Sequence, residues 1–199
     1  MRRIASVAGL CTIAAFAAGC ATPPSHFYTL SPVAAPAGAL VAKAPGRSVI
    51  VGPVSIPEIV DQPQIVVSTG PNQVSLDEFN RWASPLSNNI SRVVVQDLVA
   101  MLGTPRVSLF QQSLNVEADY RVAIEVQSFE SMPGEAATLD AAWVVRRTRD
   151  GKAETGRTSV QEPAAGAGFD ALAAAHSRAL ARMSQDIADA IRVLDRAAQ

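Results

Sequence analysis

The stretch from residue 119 to residue 161 alternates apolar and polar side chains with period two, the pattern of strands that bury one face. Pro133-Gly134 suits a type II turn, and Asp150-Gly151 is a strong hairpin signal before Lys152–Val160. These residues predict an antiparallel three-stranded meander. The apolar positions of its first two strands are Tyr120, Val122, Ile124 and Val126, followed by Leu139, Ala141, Trp143 and Val145.

Two long helices are predicted beside this meander. Ser84 can cap the first helix and Pro85 fits its first position, whereas Gly103 with Pro105 ends it. The second covers about residues 168–194. The sequence therefore predicts an α/β fold in which a mixed, largely antiparallel β-sheet packs with two long α-helices in a single domain. Further short strands are predicted at Val49-Ile50-Val51, which Gly52-Pro53 ends or bends, and at Gln64–Ser68, Gln73–Leu76 and Arg106–Phe110.

The N-terminal residues are typical of an export signal. Arg2 and Arg3 form a positive region, and an apolar run from Ile4 to Ala18 follows. As a helix this run spans only ~22 Å, less than the ~30 Å hydrocarbon core of a bilayer. We therefore predict a signal peptide at residues 1–19 rather than a membrane-spanning helix.

The signal ends at a cysteine that is a candidate for lipid attachment. The residues Ala17-Ala18-Gly19-Cys20 resemble the lipobox of bacterial lipoproteins, in which the cysteine is acylated and becomes the mature N-terminus. The alternative is ordinary cleavage at small residues, with Cys20 left as a free thiol. The residue after the cysteine, Ala21, is not Asp. By resemblance to the lipoprotein sorting rule of Gram-negative bacteria, this favours the outer membrane over the inner one.

Residues 20–47 are rich in Pro and Ala and are predicted to form a lipidated tether before a domain at residues 48–199. Within them, His26-Phe27-Tyr28-Thr29-Leu30 is typical of a strand that could dock on the domain. If it docks, the free tether is Ser31–Arg47, with a reach of ~50 Å at most at ~3.1 Å per residue.

Composition excludes several classes of function. Lys and Arg number 17 and Asp and Glu number 18, so there is no electrostatic footprint for a nucleic acid. The two cysteines, Cys11 and Cys20, both lie in the first 20 residues, which leaves no disulfide or thiolate metal site to the domain. We predict no cofactor and no metal.

Catalytic candidates are few. Glu58 and Asp61 lie three residues apart in a predicted loop, and His176 lies on the apolar stripe of the last helix. A lipidated hydrolase would also need a buried carboxylate pair or a Ser–His contact, which the sequence does not indicate. His176 is expected to be a helix-edge imidazole satisfied by a neighbour. We therefore predict that the protein is not an enzyme.

Two other groups of residues have competing interpretations. Arg146, Arg147 and Arg149 are interpreted as a solvated hairpin tip, and contact with anionic headgroups or an acidic partner is the alternative. Trp82 and Trp143 are interpreted as core residues, and a role as ligand platforms is the alternative.

Six segments, taken in order, resemble a known family. They are the lipobox at Cys20, Phe27-Tyr28-Thr29-Leu30, Val51-Gly52-Pro53-Val54-Ser55-Ile56-Pro57-Glu58, Asp61-Gln62-Pro63-Gln64-Ile65-Val66, Arg81-Trp82-Ala83-Ser84-Pro85-Leu86 and the strand from Tyr120 to Glu130. Together they resemble the ABC-type transport auxiliary lipoprotein family, over almost the whole mature chain.

This resemblance implies function through partners. Members are lipoproteins of the outer membrane that face the periplasm, and they accompany substrate-binding proteins of the mammalian-cell-entry (MCE) type and their ABC transport components. These systems move phospholipids or other hydrophobic molecules between the two membranes and support envelope integrity. Members have a small α/β domain like that at the N-terminus of TolB.

A mechanism follows as an expectation. Acylated Cys20 would hold the domain at the inner leaflet of the outer membrane, and the domain would meet the tip of an MCE assembly, as a homo-oligomeric ring in one form of the hypothesis. A pilot or assembly lipoprotein of another envelope machine, such as a secretin or an exporter, is the alternative. The candidate partner contacts are Ile56, Pro57, Glu58, Asp61, Gln62 and Trp82.

Overall fold

The computed structural model describes residues 23–33, 47–110 and 117–197, which fold into two sheets and two helices. The predictions for the signal peptide, Cys20 and Ala21 fall outside these residues. A short 3₁₀ helix covers Glu58–Val60. The strands are β1 (His26–Tyr28), β2 (Val49–Ser55), β3 (Gln64–Gly70), β4 (Gln73–Trp82), β5 (Val107–Leu109), β6 (Tyr120–Met132), β7 (Ala136–Arg147) and β8 (Ala153–Pro163), and the helices are α1 (Leu86–Leu102) and α2 (Phe169–Arg196).

The predicted meander is confirmed as β6, β7 and β8, which pair antiparallel in sequence order. At the first turn the Glu135 N–H donates to the Met132 carbonyl at 3.0 Å, and Gly134 has φ 76°. A positive φ at the third residue of a turn that has Pro at the second is the geometry of type II. The second turn places Gly151 at φ 71°, which an L side chain rarely adopts.

The five-stranded sheet has the order β5-β2-β6-β7-β8, and β2 is parallel to both of its neighbours. The sheet is therefore mixed and largely antiparallel, as predicted. The register between β2 and β6 shifts between Val51 and Val54, across Gly52-Pro53, so that dipeptide bends the strand instead of ending it.

Both helices contact this sheet, α2 chiefly on β7 and β8 and α1 on β2 and β5, and the helices also contact each other. The α2 stripe fills the core with Leu180, Met183, Ile187 and Ile191, all fully buried. α1 begins one residue later than predicted, so Pro85 occupies the cap position and no side chain caps the helix. Gly103 ends α1 in the left-handed conformation, as predicted.

A second sheet, which the sequence did not indicate, has the order β1-β4-β3. β4 is longer than the predicted Gln73–Leu76, and its register on β3 slips where Val66 pairs with Leu76. Near this slip the Asp77 carboxylate accepts hydrogen bonds from the N–H groups of Phe79 and Asn80. These hydrogen bonds stabilise the backbone at the slip, and β4 continues beyond it to the buried Trp82.

The strand-forming segment inside the predicted tether docks on the domain. β1 pairs parallel with β4, and Leu30, two residues after its end, is fully buried. The Arg92 guanidinium donates to the Leu30 carbonyl at 2.6 Å, and the Ser31 N–H donates to Ser177 Oγ at 3.1 Å. Residues 26–31 are therefore held by both the small sheet and the helices.

Candidate docking groove

The predicted contact loop lies on the surface between β2 and β3. Its 3₁₀ helix is closed by a hydrogen bond from the Val60 N–H to the Pro57 carbonyl at 3.1 Å. Val60 is buried in the core, whereas the Ile59 side chain is 54% exposed. Anchoring by Val60 thus presents the neighbouring residues to solvent. Among the other predicted contacts, Ile56 and Pro57 are half-buried, and Glu58, Asp61 and Gln62 are exposed.

This loop forms one side of a groove of about 600 Å³. The β3–β4 hairpin forms a second side, and the last part of β6 with the turn after it forms the third. Apolar side chains that line the groove include Ile59, Val66, Val74 and Met132. A concave, mostly apolar surface of this size can hold part of a partner.

All six consecutive residues of Gln127–Met132 line the groove. Successive side chains of a strand point to opposite faces, so a groove bordered by six in a row lies along the strand's edge. On that side the pairing of β2 with β6 ends at Ser55 and Glu125. The edge of β6 beyond Glu125 is therefore left without β2, and β3 approaches it without ladder pairing among the described residues.

Trp82 is a core residue instead of a surface contact, with 6% of the residue exposed. Its ring packs edge-on against Phe129, with centroids 6.2 Å apart, and against His176 at 6.3 Å. The strand β4 ends at Trp82 and directs the indole inward, so the expectation of core packing is met. Trp143 is also buried and donates from Nε1 to Thr158 Oγ1 at 3.1 Å.

Behind the groove, the structure brings together a serine and a histidine that sequence reasoning did not pair. Ser131 Oγ lies 2.8 Å from His176 Nε2, and the imidazole stacks on Phe129 with a centroid distance of 3.8 Å. Phe129 and Ser131 are two apart on β6, so both face α2. The sequence signal for this contact was the two-residue spacing of Phe129 and Ser131 on one strand face, together with the place of His176 on the apolar stripe of α2.

The Ser131–His176 pair does not have the features of a nucleophile and its base. His176 is fully buried, and its Nδ1 has no hydrogen-bond partner among the described residues. Burial lowers the pKa of this imidazole to about 3. A base of that strength with no orienting third group activates a hydroxyl poorly. Glu58 and Asp61 are exposed, so they do not join it in a buried site.

The three arginines before the second hairpin turn are separated by the structure. Arg146 and Arg149 are exposed, as expected of a hairpin tip, but Arg147 is only 3% exposed. Arg147 follows the inward alternation of β7, and its guanidinium binds the Asp150 carboxylate at 2.6 Å and the Leu194 carbonyl. Its bonds lower the pKa of Asp150 to about 2. The interpretation as a solvated tip was wrong for Arg147.

The described residues hold neither a metal-binding cluster nor a helix that could cross a membrane. No group of three or more His, Cys, Asp or Glu side chains is arranged to hold a metal ion there. No helix in residues 23–33, 47–110 and 117–197 has both the length and the apolar character needed to cross a membrane.

Comparison with known proteins places this chain in a family. No curated protein matches it. Among solved structures, a Xanthomonas campestris protein of the DUF330 family is 22% identical, with a TM-score of 0.67 over 88% of this chain and 100% of the other. An uncharacterized protein is 19% identical, with a TM-score of 0.69 over 85% of this chain and 99% of the other. The family model described as "ABC-type transport auxiliary lipoprotein component" matches residues 28–188, and the chain belongs to this family.

Proposed function

We propose that this protein is a lipoprotein of the outer membrane, acylated at Cys20, that serves without catalysis of its own as an auxiliary component of an MCE/ABC-type lipid transport system. The observation that carries the proposal is the family match over residues 28–188, which spans both sheets and most of α2. Members of the family are described as transport auxiliary components, so a docking role follows more directly than a chemical one.

The position of β1 supports a domain held close to its membrane. Only residues 21–25 separate Cys20 from the docked strand at His26. At ~3.4 Å per residue, this link reaches ~20 Å. The segment Ser31–Arg47 cannot add its ~50 Å reach to that distance, because it lies between β1 and β2, which both belong to the fold. The β1 end of the domain therefore stays within ~20 Å of the lipid anchor.

The groove supports a role in docking. Its rim carries the exposed apolar residues Ile59, at 54%, and Val74, at 47%, and apolar side chains grouped on one groove are a feature of partner-binding surfaces. The predicted contacts Ile56, Pro57, Glu58, Asp61 and Gln62 lie on or next to its 3₁₀-helical side. We propose this side of the molecule as the surface for the MCE-type protein, with Trp82 supporting it from the core.

The test is a pull-down from solubilised envelope with the mature chain, carrying Cys20→Ser and a C-terminal tag. Recovery of an MCE-domain protein with its transport ATPase is the expected result. A matched sample keeps Cys20, so that acylation can be read by mass spectrometry in the same experiment. Secretin or exporter components, recovered without an MCE-domain protein, would support the pilot alternative and overturn the transport role.

A further inference from the structure

The groove exposes the main chain of β6 as well as side chains. In an antiparallel pair, every second residue directs its N–H and C=O away from its partner strand. β7 pairs with β6 from Tyr120 to Met132 on one side, but β2 pairs with β6 only as far as Glu125 on the other. Past the register shift at Gln127, the outward backbone groups from Ser128 to Met132 therefore have no ladder partner among the described strands, and a free strand edge is a template for another strand.

A groove of about 600 Å³ lies beside this edge. β3 lies across the groove with its own unpaired edge, since β4 is its only ladder partner among the described strands. Cα atoms of β3 and β6 come within 8 Å of each other, whereas a strand between them needs about twice the ~4.8 Å strand spacing, so an added strand would enter where the groove separates β3 from β6. An added strand would satisfy backbone groups of β6 and place alternate side chains against Ile59, Val66 and Val74.

Charge around the groove selects the type of chain. Glu130 and Glu135 line it, and Glu58 is exposed on its 3₁₀-helical side. No Lys or Arg is among the described lining residues, and neither Glu130 nor Glu135 forms an ion pair with a described residue. Among the described residues, Glu130 Oε1 accepts a neutral hydrogen bond from Ser128 Oγ at 3.0 Å. Carboxylates so placed attract a cationic segment and repel an anionic headgroup.

We propose that this groove binds an extended segment of a partner protein, with apolar residues alternating with Lys or Arg, by adding it as a strand to the free edge of β6. The inference rests on the proposed function, because it requires a protein that acts by docking. It deepens that function by stating the chemistry of the docked segment. The acidic lining makes an anionic phospholipid the weaker occupant. A second copy that docked groove to groove would bring the same carboxylates together, and their repulsion disfavours that arrangement.

The experiment uses the ¹⁵N-labelled mature chain with Cys20→Ser and two synthetic ten-residue peptides. One alternates Val with Lys, and its control alternates Val with Glu. The Val–Lys peptide is expected to shift the amides of Gln127–Met132 and of the β3–β4 hairpin, and to slow hydrogen exchange at alternate residues of that edge. Equal binding of the Val–Glu peptide, or shifts confined to other surfaces, would overturn the proposal.

Charge reversal on β6 supplies a matched pair of variants. Glu130→Lys is expected to weaken Val–Lys binding about tenfold or more, whereas Glu125→Lys, on the same strand where β2 covers the edge, is expected to change it less than about twofold. Equal effects of the two variants would refute a site in the groove. Because the peptide comparison uses the unsubstituted groove, the proposal stays testable even if Glu130→Lys does not fold.

Other occupants would be recognised in the same measurements. Protection of Gln127–Met132 by phosphatidylglycerol vesicles but not by the Val–Lys peptide would identify a lipid occupant. Edge protection that depends on protein concentration alone would identify a second copy. Both results overturn the inference. If the Glu130→Lys variant recovers an MCE-domain protein as well as the unsubstituted chain does, the transport role stands and the groove is rejected as the docking site. If the Val–Lys peptide binds but the pull-down recovers no MCE-domain protein, the groove stands as a peptide site and the transport role is rejected.

Discussion

Replacement of Asp97 by asparagine is expected to stabilise this protein at neutral pH. Asp97 lies on α1 against α2 and is only 2% exposed. Its Oδ2 accepts a hydrogen bond from Ser184 Oγ at 3.3 Å, but its Oδ1 has no partner among the described residues. Burial raises the pKa of this carboxyl to about 6, and the hydrogen bonds from Ser184 and the Val33 backbone offset only part of the effect.

The size and sign of the effect follow from linkage between proton binding and folding. Asp97 has a pKa of about 6 in the folded protein and 3.8 as its ordinary value. The protonated carboxyl therefore favours folding below pH 3.8, and this contribution is lost as the pH rises through 6. Each pH unit in that window changes the free energy of unfolding by about 1.4 kcal/mol, which sums to about 3 kcal/mol at pH 7. Asp97→Asn should recover most of that amount.

His176 has the opposite pH dependence. Its folded-state pKa is about 3 against an ordinary 6.5, because the fully buried imidazole is held neutral. Its contribution to stability is present above pH 6.5 and is lost as the pH falls towards 3. Between pH 4 and 6 the two buried groups therefore oppose each other, and the stability of the unsubstituted protein should change little in that window on their account.

Equilibrium urea unfolding at pH 7, 6, 5 and 4, followed by tryptophan fluorescence, measures these slopes. Asp97→Asn should lose stability on acidification by about 1.4 kcal/mol per unit more than the unsubstituted protein, and His176→Gln should gain by a similar amount. Asp189→Asn, at an exposed site on α2, is the control whose slope between pH 4 and 6 should match the unsubstituted protein. An Asp97→Asn profile parallel to the unsubstituted one would refute the reasoning.

Two further substitutions test the packing. A Cβ at Gly156 would lie 2.2 Å from Cζ2 of the Trp143 indole. Gly156→Ala should therefore lower the free energy of unfolding by about 1–3 kcal/mol and alter tryptophan fluorescence. Gly70→Ala is the control, because its Cβ would lie 3.8 Å from its nearest neighbour, and it should change neither quantity. Leu30→Ala should lower the free energy of unfolding in urea by about 2–5 kcal/mol, because Leu30 is fully buried in the core. Val33→Ala, at an exposed site, is the control and should cost ~0.5 kcal/mol. A loss for Leu30→Ala no larger than that of the control would reject the placement of Leu30 in the core.

The elements that could be predicted from the sequence are those whose local pattern agrees with their final environment. β6 keeps strict alternation from Tyr120 to Val126 because one face lies under the helices and the other is exposed. Gly134 and Gly151 mark turns because the backbone at each needs a positive φ. Local and tertiary preferences coincide at these positions, so a periodicity argument suffices.

β4 shows why the rest escaped prediction. Its second half contains Asp77, Glu78 and Asn80, which are typical of a loop, yet the chain remains extended to Trp82. Pairing with β1, a strand about 50 residues earlier, holds that half in place. Arg147 was misassigned for a similar reason. Its carbonyl partner at Leu194 lies 47 residues away, and no local pattern could supply it.

The proposed groove belongs to the same class of feature. A free edge is defined by where a neighbouring strand stops, and β2 stops opposite Glu125 because the chain leaves the sheet for the 3₁₀ helix at Glu58. Main-chain recognition makes few demands on the identity of side chains beyond alternation and charge. A docking site built in this way would leave little in the sequence beyond an uncompensated Glu130 and exposed apolar residues on its rim. The scarcity of motifs for chemistry is therefore what a strand-adding docking protein would show.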